Sequence, residues 1–373
     1  MMYLLFLRAN LFRCILTVCL VPFSMASAEE FSEQASPSSL VDMRMQQQNP
    51  SYRGQYDLFP PAGSLYSLAE NPDEPRSDFW KPFGSFLLPG LGQWIDGQAE
   101  WGAIYSGVAA GGLIWASSIA RSENLAQRQE DERQAREEAG EEEMEGADLM
   151  NKDNDFRKVT LGGLMYQGAG GMSAYHAFRT SVRSRKRRGQ YQFLTQEETP
   201  ADIFYAPLRF EYLKRPSTYV PILIAASLAS LTLASEPDPT LEKDNFGADD
   251  AFFATAYSLN AGTHEEAMFR GWLQPLVREY WFDDFWSNIF STSLFALAHL
   301  GSTSTPVAQA LLGYHLGDVT IRNNYTISES VFIHTWWDII IFTATFHYKR
   351  KAPGELKNQL NPVLWLPPLQ IAF

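Results

Sequence analysis

Apolar residues along this chain fall into blocks, and the blocks are separated by strongly polar stretches. The first block, Cys14 to Phe23, follows Arg8 and Arg13 and runs into Ala26-Ser27-Ala28. Basic flank, short apolar core and small-x-small site read as a secretory signal over residues 1–28. An uncleaved anchor helix is the alternative. Residues 29–78 are rich in Ser, Gln, Pro, Asn and Asp with no sustained period, which predicts a loosely ordered extracytoplasmic segment. Phe83 to Ile95 is apolar but interrupted by Pro89, Gly90 and Gly92 and is short for a span, so it reads as a broken or re-entrant helix. Trp101 to Ala120 and Leu161 to Phe178 are rich in small residues and predict closely packed membrane helices. Further apolar stretches follow at 219–234, 251–274, 286–300, 305–321 and 326–346. The pattern predicts an all-α polytopic membrane protein of about seven or eight transmembrane helices.

Charge divides the chain further. Residues 122–155 carry a net −9, as expected of a solvated helical hairpin or loop. Arg179, Arg183, Arg185, Lys186, Arg187 and Arg188 follow the Leu161–Phe178 segment directly and read as a cytoplasmic topology signal. An outer acidic loop and a cytoplasmic linker at 189–216 follow from it, and a cleaved signal, a crossing 83–97 segment and two full spans give the same orientation. This splits the chain into an N-terminal membrane module at 79–188, a C-terminal domain at 217–350 and a tail at 351–373. Five spans after the basic cluster would put Lys349, Arg350 and Lys351 outside. Either one stretch does not cross, 251–274 being the most polar, or the terminal cluster departs from the rule.

Composition narrows the function. With 30 Lys+Arg against 43 Asp+Glu the formal charge is −13, which argues against a nucleic-acid partner. The two cysteines lie within the expected signal, so the mature chain offers no disulfide, thiolate metal site or cysteine nucleophile.

The chemistry gathers in the C-terminal third, where ionisable residues interrupt apolar helices at a cost that marks them as functional candidates. Glu265 and Glu266 precede Arg270 in H-E-E-A-M-F-R-G, Phe295 precedes His299 in F-A-L-A-H, and His334 precedes Asp338 in H-T-W-W-D. Each motif holds an i, i+4 pair and so sets two residues on one helix face. Three polar faces on three helices predict one shared cavity. Taken singly, the pairs are equally consistent with a local ion pair, a satisfied core histidine and a local hydrogen bond. Carboxylates and imidazoles together suit hydrolysis by activated water. H-E-E-A-M lacks the second histidine of a zincin helix, and there is no serine elbow.

The three motifs in this order resemble E-E-x-x-x-R, F-x-x-x-H and H-x-x-x-N/D of the CAAX-protease and bacteriocin-processing family, the intramembrane type II CAAX prenyl endopeptidases. The resemblance covers about residues 215–350. It implies an all-helical fold and hydrolysis of a peptide bond in a membrane-associated protein or peptide. It implies Glu265 as base with His299 activating water, Glu266 and Arg270 holding the site together, and His334 and Asp338 supporting the oxyanion or a metal. A divalent ion such as zinc on His299, His334 and Glu265 is compatible with that donor set. Asp338 stands where many members carry Asn. A bacterial inner membrane is the expected location. The rival readings are a non-catalytic scaffold or immunity-type protein that keeps the fold, and a transporter. The intact polar set favours an enzyme over the first. The lack of two matching broken-helix halves disfavours the second. The stretch P-G-L-G-Q at 89–93 is expected to break a helix.

Overall fold

The computed structural model describes residues 77–122, 124–139, 152–187, 194, 197–235, 237, 241–299 and 307–351. The expected signal, nearly all of the 29–78 segment, residues 140–151 of the acidic loop and the tail beyond 351 lie outside the described residues.

The described residues are almost all helical, as the apolar blocks predict. Helix α1 (Ser77–Leu87) and α2 (Leu91–Ile95) flank the Pro89-Gly90 break, where Gly90 takes a φ of 96° that favours glycine. Both are too short to cross a bilayer. They fold as a re-entrant hairpin on the long helix α5 (Asn154–Arg187). The tip reaches Tyr166, whose hydroxyl donates to Leu87 O. The return arm climbs back along α5. Gly90 N donates to Ser173 Oγ and Gln98 Nε2 to Thr180 Oγ1. An ion pair between Lys81 and Asp96 closes the two arms. The 83–97 stretch therefore enters and leaves at one end of the bundle.

Helix α3 (Ala99–Ser122) crosses antiparallel to α5, packing Gly112 against Gly162 O. Helix α4 (Leu125–Ala139) is the acidic run. Its Arg133 pairs with Glu130 and Glu137, a solvated helix as its charge predicted. Helix α5 spans 34 residues, so the basic cluster up to Arg187 continues a helix and does not open a loop. A short α6 (Pro200–Tyr205) is started by a capping box. The Thr199 backbone N–H and hydroxyl, with Arg209, hold the Asp202 carboxyl below its ordinary range. Two 3₁₀ turns (Ala206–Leu208, Phe210–Lys214) lead into α7 (Pro216–Ala234).

The C-terminal bundle begins with α8 (Ala248–Met268), which passes through a π-helical turn (Phe269–Leu273) into α9 (Gln274–Tyr280). Pro275 accounts for the wide turn, because it lacks an N–H and its ring cannot sit under the carbonyl four residues back. The suspected non-crossing stretch 251–274 is thus part of one rod of about 50 Å. Helices α10 (Asp284–Ala298) and α11 (Val307–Arg322) form a short hairpin, and α12 (Ser328–Thr345) closes the bundle. Strands β1 (Leu241–Lys243) and β2 (Tyr348–Arg350) pair antiparallel. By length and composition, α3 and α7 are two helices able to cross a membrane.

Helix α5 runs parallel to α8–α9. Arg157 pairs with Asp250 near the two starts, and Arg185 Nη1 reaches Tyr280 Oη near the two ends. Phe178 of α5 shares a core cluster with Trp272 and Phe295, so the N-terminal module and the C-terminal domain are packed as one body. The register also places the terminal basic cluster within the bundle. Lys349 sits on β2, paired with Glu242 of β1 at 3.1 Å, beside Lys152 and Asp244 at the start of α5. The terminal basic cluster therefore lies at the end opposite Arg179 and Arg185, its charge partly compensated by acids.

Close helix approach is set at one position beside the site. A Cβ on Gly262 of α8 would lie 2.8 Å from Thr335 N and 2.9 Å from its Cα on α12. Backbone cannot yield as a side chain does. Gly262→Ala is expected to cost about 1–3 kcal/mol, seen as a lower unfolding midpoint in detergent. An unchanged midpoint would mean that α8 and α12 are not in this contact.

Candidate active site

The six predicted residues meet in one polar cluster. Helix α8 and its π turn bring Glu265, Glu266 and Arg270, the end of α10 brings His299, and α12 brings His334 and Asp338. His299 is the C-cap of α10, and its Nδ1 faces Phe295 O at 2.7 Å. Its Nε2 lies 3.7 Å from Glu265 Oε2. On the other side of Glu265, His334 Nε2 stands 4.0 Å from the same oxygen and 3.5 Å from Asp338 Oδ2.

Glu266 faces inward beneath this layer. Its Oε1 takes His334 Nδ1 at 2.8 Å and Arg270 Nη1 at 2.9 Å. Arg270 also donates from Nη2 to Gly313 O of α11 at 3.0 Å. Its guanidinium lies 4.3 Å from the centroid of the Phe295 ring, which also stands edge-on to His334. The i, i+4 pair predicted within α8 is thus also the joint between α8, α10, α11 and α12.

Exposure separates two layers. Side chains of Glu266, Arg270, His334 and Asp338 are at most 1% exposed, whereas Glu265 is 18% and His299 12% exposed. The opening is therefore at Glu265 and His299. Among the described residues, Glu265 Oε2 and both Asp338 carboxylate oxygens have no hydrogen-bond partner. Buried polar atoms are normally satisfied, so these oxygens mark places for water or substrate.

The donor types of His299, His334 and Glu265 suit zinc, and each imidazole has its Nδ1 engaged and its Nε2 near Glu265. The spacing is wider than an ion requires. Zinc at about 2.0–2.2 Å from each donor sets neighbouring donors roughly 3.3 Å apart, and the two distances to Glu265 are 3.7 and 4.0 Å. Among the described residues no group of three stands ready to hold a metal. The steps proposed below use side chains and water.

Several contributors escaped the motif reading. Gly313 and Gly317 lie one turn apart on α11. A Cβ at Gly313 would press on Arg270 Nη2 at 2.9 Å, and one at Gly317 would collide with Asn288 of α10. Gln274 continues the polar face of Glu266 and Arg270 and donates to Gly317 O. The small-xxx-small spacing of G-Y-H-L-G was the available signal for the two glycines, and Pro275 was the signal for the wide turn.

Residues 247–340 match the family model for type II CAAX prenyl endopeptidase, Rce1-like. Over this segment the chain is similar to the Rce1-like endopeptidases. It runs from the N-cap of α8 into α12 and contains all six residues of the cavity. No curated protein and no solved structure matches the chain. The family that the segment resembles is one of membrane-embedded proteases acting on peptide or protein substrates.

The Glu266–Arg270 pair offers a test independent of substrate. Removing one partner of a buried pair strands a charge, at about 3–5 kcal/mol. Glu266→Leu and Arg270→Leu should each lower detergent thermal stability by that order, and the double variant should lose less than their sum. Strict additivity in the double-mutant cycle would show that the two do not interact.

Proposed function

We propose that the chain is an intramembrane endopeptidase that hydrolyses a peptide bond in a membrane-associated protein or peptide, with water activated between Glu265 and His299. The observation that carries this reading is the 3.7 Å gap between Glu265 Oε2 and His299 Nε2, the two most exposed members of an otherwise buried polar cluster. That gap is too wide for a direct hydrogen bond and admits a bridging water. Glu265 takes a proton from the water as its oxygen adds to the scissile carbonyl carbon. The carbonyl electron pair moves onto oxygen. His334 Nε2 donates to that oxyanion, while Nδ1 donates to Glu266 Oε1 and fixes the ring. Collapse breaks the C–N bond, and the proton held by Glu265 goes to the leaving amine. Asp338 places a carboxylate 3.5 Å from His334 Nε2, a negative charge that attracts the protonated ring without an N–H to donate. Arg270 balances the charge of Glu266 and positions it.

Glu265→Gln and His299→Ala should each reduce cleavage about 10²–10⁴-fold while the protein still inserts with unchanged thermal stability. The substrate is found by comparing membrane proteomes of the wild type with a Glu265→Gln strain, where an uncleaved precursor accumulates. Near-normal turnover in either variant would overturn the assignment. A non-catalytic scaffold predicts no accumulating precursor.

The proposed location is a bacterial inner membrane, with the end bearing Arg179 to Lys186 in the cytoplasm. The re-entrant path of α1–α2 then places Ser77 on the cytoplasmic side too. An extracytoplasmic 29–78 segment behind an export signal does not go with this orientation. A cytoplasm-dependent reporter joined after Lys186 or before Ser77 should be active, and one joined after Ala139 inactive. The inverted pattern would show that the export signal governs and the basic end faces outward.

A further inference from the structure

Between α5 and α7 the chain exposes an unusual number of large apolar side chains. Phe204, Tyr205, Leu208, Phe210 and Leu213 are 41–65% exposed, in ten residues of short turns. No single helix spans them, and their polar neighbours Arg209, Lys214 and Arg215 face the same end of the bundle as Arg179 and Arg185. Beyond the exposed Lys214 and Arg215, exposed apolar side chains resume at Tyr219, Val220 and Leu223 of α7, one of the helices able to cross a membrane. The same end of the bundle carries exposed Trp80, Trp94, Trp281 and Trp286. Aromatic side chains at one level, with cations beside them, match the chemistry of a headgroup layer.

The inner face of this segment is tied to the helix that carries His334 and Asp338. Trp336 Nε1 donates to Pro207 O at 2.9 Å, and the Phe210 ring packs at 5.6 Å on Trp336 and 6.0 Å on Phe332. Trp336 is two residues from His334, on the side of α12 turned away from the cavity. Two residues amount to about 3 Å along the helix axis.

We propose that residues 200–215 form an interfacial anchor, seated in the headgroup layer of the leaflet at the basic end, that holds α12 and its His334 at a fixed depth. The inference rests on the membrane reading of the chain and adds the element that sets how deep the site lies. An interfacial element buries its apolar face about 5–10 Å into the headgroup and acyl boundary. Arg209, Lys214 and Arg215 face the phosphates, and Phe204, Leu208 and Leu213 enter the upper acyl region. Glu329 fastens the far end of the anchor. Its carboxylate takes Arg215, Ser217 and Thr218, so the first turn of α12 moves with the start of α7.

The test uses the full chain with Cys14→Ser and Cys19→Ser, reconstituted in phosphatidylcholine–phosphatidylglycerol vesicles. A fluorophore is attached at Leu208→Cys, at Tyr205→Cys as a second site in the anchor, or at Leu223→Cys within α7. Nitroxide groups are placed on the lipid headgroup, high on the acyl chain or near its end. Positions 205 and 208 should be quenched at least about twofold more by the shallow nitroxides than by the deep one, and position 223 should show the opposite order. Deep quenching at 223 with none at 205 and 208 would overturn the anchor and leave the membrane reading standing. Strongest quenching of 205 and 208 by the deep nitroxide would overturn it as well, since the segment would then cross the bilayer. No quenching at any of the three sites would overturn both.

Discussion

One oxygen atom holds the catalytic bundle together. Glu266 Oε1 accepts from Arg270 within its own helix and from His334 across the cavity. Arg270 passes the connection to Gly313 of α11 and lies against Phe295 of α10. A charged group so far from water is tolerable only when paired and hydrogen-bonded, and here each partner belongs to a different packing surface. The pair is therefore a condition on how four helices assemble. It also separates two carboxylates adjacent in sequence. Glu266 is fully buried with one oxygen shared by Arg270 and His334, and Glu265, one residue earlier, is 18% exposed beside His299.

Helix α5 enlarges what has to be counted as the domain. The Rce1-like match ends at residues 247 and 340, yet α5 fits against α8 through glycines. A Cβ at Gly171 would press on His264 O at 2.8 Å, next to Glu265, and one at Gly168 would meet Asn260. The P-G-L-G-Q break bends α2 back onto Ser173 on another face of the same helix. The N-terminal half thus supplies a wall behind the catalytic helix, and a fragment limited to the family match would expose that wall's contact surface.

The sequence made the polar half of the site legible and much of its geometry invisible. Pairs at i, i+4 show on paper because both members lie on one helix, so Glu266–Arg270, Phe295–His299 and His334–Asp338 could be read as faces. Convergence followed from cost, since three such faces cannot all meet lipid. Contacts between helices leave weaker traces. The bond from Arg270 to Gly313 involves a backbone carbonyl, which no residue type announces. The hairpin path of 83–97 was visible as a Pro-Gly break, but its return arm is held by Ser173 and Thr180, about eighty residues away. The pairing of β1 with β2, which places the last basic cluster, rests on three residues in each strand, too few for a period of two to emerge.

The hairpin α10–α11 is the feature with the widest physical consequence. Its helices have 15 and 16 residues, roughly 22–24 Å, against roughly 30 Å of hydrocarbon. A deficit of that size is met by thinning the lipid beside it or by admitting water above it. His299 caps the C-terminal end of the shorter helix, so in the proposed membrane setting the shortfall falls beside Glu265 and His299. A polypeptide approaching from there would keep its amide groups hydrated almost to the reacting carbon, avoiding most of the desolvation that normally keeps unfolded backbone out of a bilayer.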